Sequence, residues 1–130
     1  MQKLALSFAL LALGSTPALA ADFTISFTWG DIPRCTSGHP GRVPSPRFVV
    51  SGLPEGTDTI VFRLKDLDAP NYNHGGGKVR IDRDGVIPAG AFTYKSPCPP
   101  GGVHRYEWRA TAKHGTKTLA RARARRNYPE

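Results

Sequence analysis

Two short, turn-rich segments carry most of the side chains in this chain that could move a proton or hold an anion. The first runs Asp66-Leu67-Asp68-Ala69-Pro70 and reaches His74; the second runs Ser96-Pro97-Cys98-Pro99-Pro100-Gly101-Gly102-Val103-His104-Arg105-Tyr106. A carboxylate within reach of an imidazole is an acid/base pair, and imidazolium, phenol and loop N–H groups all donate to an oxyanion. Asp66, His74 and His104 are also residue types that hold metal ions. No serine, threonine or free cysteine is placed as an evident nucleophile, because Ser96 adjoins Pro97 and Cys98 has a pairing partner in Cys35. The residues therefore favour binding without catalysis and without a cofactor. The alternative is a small hydrolase or metal-binding protein using Asp66, His74 and His104. A plainer alternative stays open too: Asp66 as the cap of the turn that follows it, and His104 with Tyr106 as a satisfied core pair.

The elements that must position these residues read as strands. Asp22 to Trp29 alternates, with Phe23, Ile25, Phe27 and Trp29 on one face. Gly30 to Pro46 is a Gly- and Pro-rich loop carrying Cys35, and a strand is expected over Arg47 to Ser51. Thr59 to Leu67 is the next strand. Ile60, Phe62 and Leu64 share a face there, and continuing the period brings Asp66 and then Asp68 onto the apolar side, a costly place for a carboxylate unless it is hydrogen-bonded or lines a cavity. His104 to Lys113 repeats the pattern, with His104, Tyr106, Trp108, Ala110 and Ala112 in phase. Weaker strands are expected over Lys78 to Val86 and Ala91 to Lys95. Thr116 to Asn127 has helical composition, but its Ala-Arg alternation also fits an edge strand. The fold class is all-β, or β with a short C-terminal helix.

Residues 1–20 carry Lys3, an apolar run from Leu4 to Leu13 and the small-x-small site Ala18-Leu19-Ala20, the pattern of a signal peptide cut after Ala20. Residues 21–130 then form one domain in the periplasm or outside the cell, where Cys35 and Cys98, the only cysteines, are expected to pair. Without Lys3 there are 17 basic and 10 acidic side chains, a net +7, of which residues 113–130 contribute +5. That basic tail, Lys117 to Arg126 above all, suits an anionic membrane surface. No nucleic acid is expected, because its basic residues are not interleaved with aromatics.

Taken together, the Asp66–His74 and Ser96–Tyr106 segments resemble the two signature motifs of the phosphatidylethanolamine-binding protein family, which includes the Raf kinase inhibitor proteins and plant flowering regulators. The Pro-Pro-x(3)-His-Arg-Tyr element at Pro99 to Tyr106 is the specific part. Ser45-Pro46 and the turn from Gly52 to Thr57 look like the family too, so the resemblance covers most of residues 23–113 and fits a small exported bacterial branch. Leu67 stands where the family usually has proline, and Gly75 follows His74 where tryptophan is usual. The resemblance implies an antiparallel sheet-on-sheet fold with a small anion-binding cavity. Asp66 and Asp68 would form one wall, His74 another, His104 with Tyr106 the floor, and the Cys98-Pro99-Pro100 backbone the rim. The implied ligand is phosphate-like or phosphoethanolamine-like. Because some relatives inhibit other proteins, an unknown protein target is the alternative partner.

Overall fold

The computed structural model describes residues 22–130 and, ahead of them, only residues 5, 7, 9, 11 and 14. The expected leader and its cut after Ala20 lie outside the described residues. Among those described, no helix is long and apolar enough to cross a membrane.

Among the described residues nine strands follow one another: β1 (Thr24–Phe27), β2 (Arg42–Pro44), β3 (Phe48–Ser51), β4 (Thr59–Asp66), β5 (Gly76–Arg80), β6 (Gly85–Ile87), β7 (Thr93–Lys95), β8 (His104–His114) and β9 (Lys117–Tyr128). They pair antiparallel in three sheets, ordered β1-β3-β6, β2-β7 and β5-β4-β8-β9. The fold is all-β, as the alternation predicts, but the C-terminal helix is absent: that segment is β9. Its period-two pattern sets Ala124, Ala122 and Ala120 opposite Trp108, Ala110 and Ala112 of β8, and this pairing overrides the helix preference of Ala and Arg. The expected strand over Lys78 to Val86 is two strands, β5 and β6, lying in different sheets.

The sheets share one core. Phe48 of β3 stacks on Phe62 of β4 at 4.3 Å between ring centroids and meets Trp108 of β8 edge-on at 5.4 Å. Ile25 and Phe27 of β1, Tyr94 of β7 and Tyr128 of β9 join the same cluster. Across the four-stranded sheet, period two sends Ile60, Phe62, Tyr106 and Trp108 to this core and leaves their neighbours on the outer face. Glu107 is the exception, 1% exposed although its phase is outward. Burial pushes its carboxyl up, but hydrogen bonds from Arg109 (2.6 Å) and Arg125 (2.9 Å) more than reverse this and hold it below the usual carboxylate range.

Two features fix the loops around the candidate site. Cys35 and Cys98 form a disulfide across 63 residues, tying the loop after β1 to the proline-rich segment before β8. Gly76 and Gly77 let β5 approach its neighbours closely: a Cβ on Gly76 would lie 1.8 Å from the Phe62 carbonyl oxygen, and one on Gly77 2.4 Å from the Phe92 ring.

Gly76→Ala is therefore expected to destabilise the fold by about 3 kcal/mol, because the obstructing atom is backbone and cannot swing away; urea unfolding measures it, and an unchanged midpoint would refute the close approach. Replacing both cysteines by serine should lower stability by about 4 kcal/mol on the chain-entropy account. Denaturation with and without reductant checks this, since the serine variant should be insensitive to reductant.

Candidate functional site

The last residue of β4 is the centre of the site. Asp66 lies in register with Tyr106 of β8, so both side chains point to the same side of the sheet. Asp66 is 3% exposed, and its oxygens are matched by three donors. The N–H groups of Asp68 (2.9 Å) and Ala69 (3.1 Å) donate to Oδ1, and His104 Nδ1 lies 2.7 Å from Oδ2. The two backbone bonds form an Asx-type turn that reverses the chain as β4 ends. The capping role left open for Asp66 is thus real, and the same carboxylate also holds His104.

The returning chain places His74 just before β5. Its Nδ1 lies 2.7 Å from the Lys95 carbonyl oxygen while its own carbonyl accepts the Lys95 N–H at 2.9 Å, so ring and backbone are both fastened to β7. Gly75 follows at φ +76°, a left-handed turn that glycine adopts without strain, and its N–H is taken by Asn73 Oδ1. This explains glycine at that position. The rim is held by the disulfide and by the Gly101 N–H to Thr36 carbonyl bond; Ser96 Oγ accepts the Gly41 N–H.

These elements enclose a cavity of about 210 Å3, lined by Asp66, His74, Cys98, Pro100, His104 and Tyr106. Gly38, Pro40, Ala69 and Tyr72 complete its lining. Ala69 belongs to the Asp66–Pro70 segment, but Gly38, Pro40 and Tyr72 were not singled out in the sequence. The pairing of Cys35 with Cys98 was the available signal for Gly38 and Pro40, since it brings their loop to the rim. Tyr72 sits beside His74, ring centroids 4.6 Å apart, with Lys95 Nζ 5.6 Å from the Tyr72 ring.

Two expected members lie elsewhere. Asp68 does not line the cavity: β4 ends at Asp66, the period-two count stops with it, and the Asp68 carboxylate turns to Arg105. It accepts the Arg105 backbone N–H at 2.7 Å and pairs with the guanidinium at 3.0 Å, and these hydrogen bonds hold its carboxyl below the usual range. Asp68 therefore positions the start of β8. Pro99 is buried behind the rim, between Cys98 and Pro100, which do face the cavity. Among the described residues, no group of three or more His, Cys, Asp or Glu is arranged to hold a metal ion.

The chemistry follows from which atoms are committed. A carbonyl oxygen only accepts, so His74 Nδ1 carries a proton; His104 Nδ1 donates likewise to Asp66. Nε2 of each ring is left to accept when the ring is neutral and donate when it is charged. Burial holds the His74 imidazolium below the usual histidine range, against opposing contributions from its bond to Lys95 and from Asp66. The Tyr106 hydroxyl is buried without a hydrogen-bond partner among the described residues. Burial, with Asp66 nearby, pushes its ionisation up, so it remains a protonated donor.

No family model and no curated protein matches the chain. Solved structures do. A protein of Chlamydia trachomatis described as a phosphatidylethanolamine-binding protein homologue aligns with a TM-score of 0.59 and 17% identity, over 84% of this chain and 98% of its own. YbcL of E. coli, described as a member of the mammalian phosphatidylethanolamine-binding protein family, aligns with a TM-score of 0.61 and 18% identity, over 83% of this chain and 98% of its own. At these identities what is shared is the fold, and this chain has the fold of phosphatidylethanolamine-binding protein homologues.

Proposed function

We propose that this chain is an exported, non-catalytic member of the phosphatidylethanolamine-binding protein family whose cavity takes a phosphate-like anion, either free or as the headgroup of a phosphoethanolamine-type molecule. The observation that carries this reading is the donor set. Two histidines have Nδ1 already committed, and the Tyr106 ring packs near both, its buried hydroxyl without a hydrogen-bond partner among the described residues. Asp66 accepts from three donors on its two oxygens and so orients His104, and the donors around the cavity favour the phosphate end as the part recognised. A volume of about 210 Å3 suits one small oxyanion.

The non-catalytic reading is supported by the engagement of nearby nucleophile types, Cys98 in the disulfide and Ser96 buried with its hydroxyl on Gly41. Export is supported by the leader pattern and by a disulfide that suits an oxidising compartment.

Anion binding should be linked to proton uptake. An anion favours the imidazolium that burial disfavours in His74, so binding raises the histidine's pKa and affinity rises as pH falls. Sulfate is a suitable probe because its charge is constant across this range. Followed by NMR of the imidazole and Tyr106 resonances, its affinity should rise by up to about tenfold per pH unit as pH falls through the neutral range, with one proton taken up, and level off once unliganded His74 is itself protonated. O-phosphoethanolamine titrated in parallel tests the headgroup. Affinity flat with pH, or no shifts of His74, His104 and Tyr106 at millimolar ligand, would remove the proposal. Tyr106→Phe removes one donor without changing ring packing, and should weaken binding by about fivefold, equivalent to ~1 kcal/mol. Phosphatase and esterase assays on the same protein should find no turnover.

A further inference from the structure

The basic residues that the sequence collects at the C-terminus are, in the fold, one rim of a larger surface on the outer side of the four-stranded sheet, opposite the cavity. Antiparallel pairing sets Arg63 of β4, Arg109 of β8 and Arg123 of β9 directly opposite one another in a single row. The row on one side is Lys65, Glu107 and Arg125; the row on the other brings Lys78, Thr111 and Arg121 together around Val61. Arg126 is not part of this surface. It faces the other way, donating to the Phe27 carbonyl and pairing with Glu130.

Charge on this face is left uncompensated. Glu107 is shared between Arg109 and Arg125 and is almost fully buried. Among the described residues, Arg63, Arg121 and Arg123 have no carboxylate partner, and all three are exposed. Like charges directly opposite on neighbouring strands are destabilising, so three opposed arginines are a burden to the isolated fold that an external anion would relieve. They border a depression of about 670 Å3.

We infer that this face docks on an anionic membrane surface, its arginines meeting the phosphates of lipid headgroups. A planar array of phosphates matches an extended sheet face, and the charges are complementary. Of the exposed large apolar side chains of the described domain, Val49, Val86 and Val103 belong to other elements and only Tyr72 borders this face, beside Arg63, Lys65 and Arg109, so contact is mainly through charge. The aromatic residues of β4 and β8 all point to the core, which leaves no stacking platform for nucleic-acid bases. A second copy paired along the free edge of β9 would bring the Arg121, Arg123 and Arg125 rows of two molecules together, so charge also opposes self-association there.

Co-sedimentation with phosphatidylcholine vesicles, with and without phosphatidylglycerol, tests the inference. The protein should bind only vesicles containing the anionic lipid and should be released as salt rises from about 0.05 to about 0.5 M. Arg63→Ser/Arg121→Ser/Arg123→Ser should weaken partitioning by about 100-fold, at roughly fivefold per charge near the surface. The corresponding triple lysine variant, of the same charge and register, should retain most of the binding. His104→Ala should bind vesicles as the unmodified protein does, which separates this face from the cavity. Equal binding to neutral vesicles or undiminished binding by the serine variant would overturn the inference. So would failure to bind anionic vesicles by a protein that captures duplex DNA or heparin.

Discussion

Everything at the site depends on a carboxylate held out of water at the end of a strand. Such a group is tolerated when its lone pairs are matched, and Asp66 is matched on both oxygens by donors from two different elements. Those from Asp68 and Ala69 set the turn that leaves β4 and returns the chain to His74. The third, from His104, fixes the tautomer and orientation of a ring on β8. The backbone register between Asp66 and Tyr106 links the two sets. A slip of one residue would carry Asp66 to the outer face, leave His104 without its acceptor and break the turn at once. Register, turn and tautomer are therefore one constraint seen at three levels.

A second constraint holds the opposite wall. The disulfide anchors Cys98 to a loop without strand structure, and the Cys35 N–H donates to the hydroxyl of Tyr128, which lies across from His104 at the same end of the sheet. A rim made of prolines and left-handed glycines at Gly101 and Gly102 has few backbone donors with which to pin itself. The covalent link supplies what the hydrogen bonds do not.

How far the sequence could be read depended on where a simple period remained valid. It placed Asp66 and Tyr106 correctly because both lie inside paired strands, and it failed at Asp68, two residues later, because the strand had ended. Glu107 shows the opposite failure. Its phase is outward, yet it is buried, because arginines on its own strand and on β9 fold over it; such cross-strand cover needs the register of β8 with β9. Propensity and period conflicted in the Ala-Arg segment, and pairing with β8 decided for period. Gly38, Pro40 and Tyr72 reach the cavity through loop paths that no period describes, so their place could be approached only through the disulfide. The resemblance carried by Pro99 to Tyr106 was sufficient for the fold, but residue roles had to be taken from hydrogen bonds one at a time.

The two faces of the four-stranded sheet divide the electrostatics. In the cavity the one carboxylate is Asp66, and the potential donors are a tyrosine hydroxyl and two imidazoles; retention there is a matter of hydrogen-bond geometry and of proton supply to His74. On the outer side, permanent guanidinium charges lie in rows with a single buried acid. Fixed charge acts over a Debye length, about 10 Å at 0.1 M salt, and does not discriminate well among anions. Buried donors act only at contact and discriminate by shape and protonation. A sheet with both properties on opposite faces can be drawn to an anionic surface by one face without filling the cavity on the other. This is because the inner site responds to protons and donor geometry, neither of which the outer arginines supply.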